Sequence, residues 1–281
     1  MRFRLEASPL DLGQTLGCGQ TFRWSQLPDG KWVGIIGART IELESDGDSL
    51  LVRAAPGGAD ARDAVIEYLR LRDDLTTIQS ALGSDRRLAR GLTRVRGLRL
   101  VKMDEWESLI SFVLATYANI PRISKMIAAI SSEFGRGIAD GVYSFPGPEE
   151  LRDARLDELR ACGLGYRAEY VLSIAREVDM AAIGRLKRLG YEDLREELKE
   201  LDGVGDKVAD CVSLFGFGRL EAFPIDVWIE RALRRLYGLE GSYARLRRDA
   251  TGLFGEYAGY AQEYLYLNER SLAADGSCMF S

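Results

Sequence analysis

The run Leu201-Asp-Gly-Val-Gly-Asp-Lys207 constrains this chain more than any other. Before it, Leu194, Leu198 and Leu201 mark one helical face; after it, Val208, Cys211, Val212 and Phe215 mark another. Two helices, spanning about 191–216, are therefore joined by a turn too short to be anything but a hairpin. Glycines in such a turn relieve the steric cost of unusual dihedrals and let another backbone come close. Gly203 and Gly205 fill that role here. The turn also delivers amide N–H groups at the start of the second helix, an anion site made from backbone dipoles and independent of net charge. An ordinary tight helix–helix connection has the same pattern, so the neighbouring residues carry the decision.

Around this hairpin the chain changes character once. Within residues 1–55, short alternating runs are separated by Pro, Asp and Gly: Thr21–Trp24, Lys31–Ile36, Thr40–Glu44 and Ser49–Arg53. They predict an antiparallel meander. From Asp60 onward the signals are almost all helical. Asp104 and Glu107 have capping-box spacing ahead of Trp106, Leu109, Ile110 and Val113. Pro121 interrupts that pattern, and Ile123, Met126, Ile127, Ile130 and Phe134 resume it. Further helices are expected from Glu149, Tyr166, Tyr191, Asp206 and Asp226, and a last long one through Phe254 to Asn268. The expected fold class is α+β: an N-terminal antiparallel sheet domain (1–100) packed on a mostly helical body (101–270), with a loose tail at 271–281.

Composition removes whole classes of chemistry. The 281 residues include no histidine, so Ser-His-Asp, Cys-His and His-ligated zinc catalysis are excluded. Cys18, Cys162, Cys211 and Cys278 lie far apart, which argues against a disulfide framework or a cysteine-built metal site and suits a reducing compartment. No apolar run reaches the ~18 residues of a membrane span, and no apolar signal core opens the chain. The net charge of −5 does not suggest a nucleic-acid partner. Locally, however, Asp85–Lys102 holds seven basic residues against one acid, either a phosphate-facing stretch or a solvated connector.

Any catalysis must then rest on Lys, Asp, Glu, Tyr, Cys or Ser, or on a cofactor. Lys207 sits in the first turn of the second hairpin helix, where the dipole disfavours a cation; such local rule-breaking is expected at functional sites. A neutral amine there is a nucleophile able to form a Schiff base. Farther on, Phe223-Pro224-Ile225-Asp226-Val227 opens another helix, with Asp226 as its N-cap. A carboxylate so held can stabilise positive charge developing on a sugar. A surface lysine and a structural cap are the competing readings of the two residues taken singly.

Together, Leu201–Cys211 and Pro224-Ile-Asp-Val227 resemble the helix-hairpin-helix, Gly/Pro-rich, catalytic-Asp superfamily of DNA glycosylases. The Lys207-Val-Ala-Asp-Cys211 run resembles its 8-oxoguanine DNA glycosylase family. Gly19-Gln-Thr-Phe-Arg-Trp24, Ser111–Leu114 with Asn119–Ile123, Leu164–Ala168 and Tyr257–Gln262 match further blocks in the same order. The resemblance implies a bifunctional glycosylase and abasic-site lyase acting on double-stranded DNA as a monomer, without a cofactor or metal, inside the cell where the DNA is. It gives Lys207 the attack on C1′ and Asp226 the oxocarbenium-like charge. Gly203, Val204 and Gly205 would hold a phosphate. Gly19, Cys211, Gln262 and Tyr266 would form the damaged-base pocket. Arg122, Arg167 and Asn119 would face the opposite base, and Tyr166 would wedge into the duplex. The chain departs from the family pattern at Tyr117, where an asparagine usually meets the orphan cytosine, and at Trp228, usually a histidine. The first departure bears on opposite-base selectivity and the second on phosphate contact. A relative acting on another oxidised or alkylated base, and a non-catalytic hairpin DNA-binding protein, are the alternatives.

Overall fold

The structure is a computed structural model and describes residues 1–92 and 94–275. Strands β1 (Arg2–Glu6), β2 (Trp24–Gln26), β3 (Trp32–Ile36), β4 (Arg39–Asp46) and β5 (Ser49–Ala55) form an antiparallel sheet in the order β1-β5-β4-β3-β2. Alternate residues point to opposite faces of a strand. Ile41 and Leu43 of β4, and Leu50, Val52 and Ala54 of β5, accordingly enter the core, while Glu42 and Glu44 stay outside it. The meander is extended by β1, which the sequence pattern did not single out; it pairs with β5 across Arg2↔Arg53 to Glu6↔Ser49.

Thr21–Trp24 is not the strand its alternation predicts; β2 begins only at Trp24. Side chains replace a ladder there. The Gln20 amide donates to the carbonyls of Thr15 (2.7 Å) and Arg99 (2.8 Å) and accepts from the Val101 amide (2.9 Å). The Tyr68 hydroxyl shares a hydrogen bond with the Thr21 hydroxyl (2.6 Å) and accepts one from the Trp24 indole (2.9 Å). The Gln20 bonds occupy backbone groups of Thr15, Arg99 and Val101, so they tie this segment to the helix Leu12–Gly17 and to the chain entering the body without a strand beside it. The result is a rigid loop that fixes Gly19 against the helical body.

That body follows the sequence periodicities closely, with three differences. A two-stranded ribbon, Gly137–Ala139 with Val142–Tyr143, lies in a segment where the sequence pattern singles out no strand. The last long helix is two: Tyr243–Phe254 ends at Gly255, whose φ of 59° no ordinary helix residue adopts, and the chain resumes as Ala258–Asp275. Residues 271–275, expected as tail, are therefore helical; the rest of the expected tail, 276–281, lies outside the described residues. The buried side chains of sheet and body form one continuous core. No helix among the described residues is long and apolar enough to cross a membrane.

The basic stretch splits up. Arg99 is buried and donates to the carbonyls of Pro9 (3.1 Å), Arg70 (2.7 Å) and Asp73 (3.1 Å), sewing loops together. Lys102 pairs with Glu67 at 2.6 Å, and Arg87 lies over the Tyr237 ring. These three act within the fold.

Candidate active site

The hairpin joins the helix Tyr191–Lys199 to the lysine helix, Asp206–Phe215. Its two glycines do different work. Gly203 has a φ of 79°, and a Cβ there would overlap the Tyr170 ring. Gly205 is extended, and nothing lies within 4 Å of where its Cβ would be. Only Gly203 is demanded by the turn; Gly205 leaves room for another backbone. Val204 is buried and its amide donates to the Leu201 carbonyl at 3.1 Å, so that amide is engaged within the turn. The amides of Gly205, Asp206 and Lys207 open the helix and have no intrahelical acceptor.

The lysine helix is locked from behind by Asp210, which is fully buried. Asp210 accepts hydrogen bonds from the Tyr191 hydroxyl (2.7 Å), the Arg195 guanidinium (3.0 Å) and the Tyr243 hydroxyl (2.6 Å). The Tyr243 oxygen in turn accepts from the Ile225 amide at 3.2 Å. The next residue is Asp226, which caps the helix Val227–Ala232 through Oδ1, accepting from the amides of Trp228 and Ile229, both at 2.9 Å. Both cap bonds fall on one oxygen, so Oδ2 is left for chemistry. Asp210 and Tyr243 thus couple the element carrying Lys207 to the one carrying Asp226. Sequence reasoning missed both; the signal was an acid on the apolar face of the lysine helix.

Lys207 and Asp226 share a cavity of about 70 Å³, and Gly19, Cys211, Gln262 and Tyr266 line it with them. All six residues expected for catalysis and the damaged-base pocket are thus brought together. Phe112 and Phe215, stacked at 5.5 Å, close one side. Gly19 has a φ of 109°, which strains any other residue, and a Cβ there would press on the tip of the Ile120 side chain. The cavity is smaller than the about 300–1,000 Å³ of small-molecule sites. It adjoins a groove of about 850 Å³ lined by Lys207, Asp226, Trp228, Tyr117 and Asn119, which gives a base its way in.

Electrostatics separates the candidate nucleophiles. Burial pushes the Cys211 thiol up to about 12, with Lys207 opposing. Burial likewise raises the Cys18 thiol well above its usual range. Neither forms a thiolate near neutral pH, which argues against a cysteine nucleophile here. Glu263, absent from the sequence reading, also lines the cavity.

The opposite-base set is arranged differently. Tyr166 is half exposed and its hydroxyl reaches the Thr116 carbonyl at 3.5 Å. Arg167, with its guanidinium 4.6 Å from the Tyr166 ring centre, is buried; its Nε donates to the same carbonyl at 3.0 Å and a terminal nitrogen does so too. Its expected contact with a base would require it to release that carbonyl. Asn119 caps the helix Ile120–Phe134 by accepting from the Arg122 amide at 3.0 Å, so its oxygen is engaged in structure. Arg122 is exposed. Arg122, Tyr166 and Arg167 line neither the cavity nor the groove. Tyr117 stands on the same turn, 98% exposed with a φ of 50°.

Comparison with known proteins agrees with this geometry. A family model described as HhH-GPD superfamily base excision DNA repair protein matches residues 110–255, which places the hairpin body in that class. A second, described as 8-oxoguanine DNA glycosylase, N-terminal domain, matches residues 2–109. A probable N-glycosylase/DNA lyase of Methanothermobacter thermautotrophicus is 34% identical over 73% of this chain and 74% of that protein. The N-glycosylase/DNA lyase of Saccharomyces cerevisiae is 30% identical over 95% of this chain and 85% of that one. The 8-oxoguanine glycosylase/lyase of Clostridium acetobutylicum, solved with double-stranded DNA containing cytosine opposite 8-oxoG, superposes with a TM-score of 0.88 at 28% identity, covering 97% of this chain and 98% of that one. The chain belongs to the 8-oxoguanine DNA glycosylase family of the HhH-GPD superfamily.

Proposed function

We propose that the protein is a bifunctional DNA glycosylase and abasic-site lyase that removes 8-oxoguanine from duplex DNA. The observation that carries this is the shared cavity of Lys207 and Asp226, walled by Gly19, Cys211, Gln262 and Tyr266. A non-catalytic hairpin protein has no use for an amine and a carboxylate held together there.

C1′ and the base edge are inaccessible in a stacked duplex, so the target nucleotide must turn out into the groove. Amides at the start of the lysine helix hold a neighbouring phosphate while it does so. The neutral amine of Lys207 attacks C1′. The C1′–N9 bond breaks as the C1′–Nζ bond forms, and the departing base takes up a proton. Positive charge on the sugar peaks in that transition state, and the Asp226 carboxylate stabilises it. Loss of a proton from Nζ and opening of the ring leave a Schiff base at C1′. Removal of a C2′ proton then expels the 3′ phosphate. No step asks for a metal or cofactor.

In this reading the sheet domain, residues 1–100, contributes Gly19, whose carbonyl meets the N7–H that only the oxidised base carries. The helical body, 101–270, contributes the chemistry and the groove. Tyr166, Arg122 and, after release from Thr116, Arg167 attend the opposite strand. The protein works as a monomer on DNA inside the cell. Incubation with duplexes carrying 8-oxoguanine, 3-methyladenine or an intact abasic site tests the substrate. Excision of 8-oxoguanine and strand cleavage at the abasic site are expected. Excision of the alkylated base alone would overturn the reading.

A further inference from the structure

Two adjacent residues of the helix Ala258–Asp275 bury an oxygen that has no hydrogen-bond partner: Gln262 Oε1 and Glu263 Oε1. Gln262 is 6% exposed and Glu263 2%, and both line the cavity that holds Lys207 and Asp226. A buried acceptor left without a donor is costly. Two side by side at one cavity point to a ligand that brings several N–H groups. Guanine does so, with N1–H and two N2–H hydrogens, and its oxidised form adds N7–H. Adenine and cytosine each offer a single exocyclic amine, and thymine a single N3–H.

We propose that Glu263 is a base-contacting specificity residue whose carboxylate accepts an N–H hydrogen bond from the extruded oxidised guanine, beside the amide oxygen of Gln262. The inference rests on the function proposed above and adds a residue to it.

The surroundings of Glu263 make this contact sensitive to pH. Cys18 faces it from the loop after the helix Leu12–Gly17, Cys211 and Lys207 from the lysine helix, Asp226 from its cap, and Tyr266 and Arg270 from its own helix. Burial pushes its carboxyl up to about 7; Asp226 adds to the rise, while Arg270 and the Cys18 thiol oppose it. Above pH 7 the carboxylate prevails and accepts. Below it, the neutral carboxyl has one oxygen turned donor and a weaker acceptor left, so the contact weakens.

The test is the ratio of two rates measured on the same preparation: excision of 8-oxoguanine and cleavage of a preformed abasic site. Both reactions need Lys207 as the free amine, so the ratio cancels that shared demand. It also cancels any loss of folded protein. In the wild type the ratio should fall as pH is lowered from 8 to 6. In Glu263→Gln, which keeps an acceptor but does not titrate, it should be flat. In Glu263→Ala it should drop about ten- to hundred-fold at pH 8, the scale of a hydrogen bond to a charged group. An unaltered ratio in Glu263→Ala, or wild-type pH dependence in Glu263→Gln, overturns this inference alone. A wild type that cleaves abasic sites yet ignores 8-oxoguanine overturns the function reading and this inference together.

Discussion

The two sides of the groove are built on different principles. On the lesion side, each reactive group sits at a helix end or on a buried face. Asp226 is held by two amides of its own helix, Lys207 by a helix locked through Asp210, and Gly19 by the hydrogen bonds of Gln20. On the other side, Tyr117 lines the groove and Tyr166 lies just beyond it, two tyrosines about the one carbonyl of Thr116, 98% exposed at Tyr117 and 49% at Tyr166. The first arrangement fixes atoms for bond-making, because reaction requires geometry held to fractions of an ångström. The second offers ring faces, and stacking accepts any base. On the proposed function, selectivity for the damaged base and selectivity for its partner would have separate origins.

Removing the lock should break the contrast most severely. Asp210→Ala takes from Arg195 its one fully buried partner, leaving it Glu196 and Asp206, and strips the hydroxyls of Tyr191 and Tyr243 of their acceptor; it should cost about 3–5 kcal/mol of stability by chemical denaturation. Excision by the remaining folded protein should also fall, since Ile225 loses the anchor of its tyrosine. Asp226→Asn should separate charge from capping. Asparagine caps helices as well as aspartate does, so stability should change by less than about 1 kcal/mol, while excision falls about 10²–10³-fold, the scale for losing one electrostatic stabiliser. Equal loss of both would make Asp226 a structural cap only. The smallest effect belongs to the rim. Excision from duplexes with 8-oxoguanine opposite each of the four bases should show weak preference in the wild type. Tyr117→Asn should raise the preference for cytosine about tenfold, the lower end of a specific base contact. A wild type already strict for cytosine would contradict the stacking account.

What could be read from the chain beforehand follows the same division. The hairpin, the lysine and the cap were legible because each depends on local spacing: two glycines in a turn, a residue in the first turn, an acid opening a helix. The pocket residues Gly19, Cys211, Gln262 and Tyr266 were reached only through family resemblance, since they come from distant parts of the chain. Asp210 and Glu263 were not reached at all. A lone acid in an apolar helical face carries no sign of which partners will meet it, and those partners are tertiary. The Thr21–Trp24 loop was mistaken for a strand because alternation records which side chains are buried, and the hydrogen bonds of Gln20 that hold the backbone span 79 residues. The last helix was read as continuous because apolar periodicity carries through Gly255, whose left-handed backbone breaks it. The roles expected of Arg167 and Asn119 meet a further physical fact: each already makes a hydrogen bond to the backbone, Arg167 to the Thr116 carbonyl 51 residues away and Asn119 through its oxygen to the Arg122 amide, and neither contact is written in the sequence pattern.

The central claim is that one amine, that of Lys207, bonds covalently to the sugar of the damaged nucleotide. Borohydride reduction during reaction with an 8-oxoguanine duplex, followed by peptide mapping of the protein–DNA adduct, tests it most directly. The account predicts an adduct on Lys207, and none with Lys207→Gln. An adduct on a different lysine, or undiminished trapping by Lys207→Gln, would contradict it.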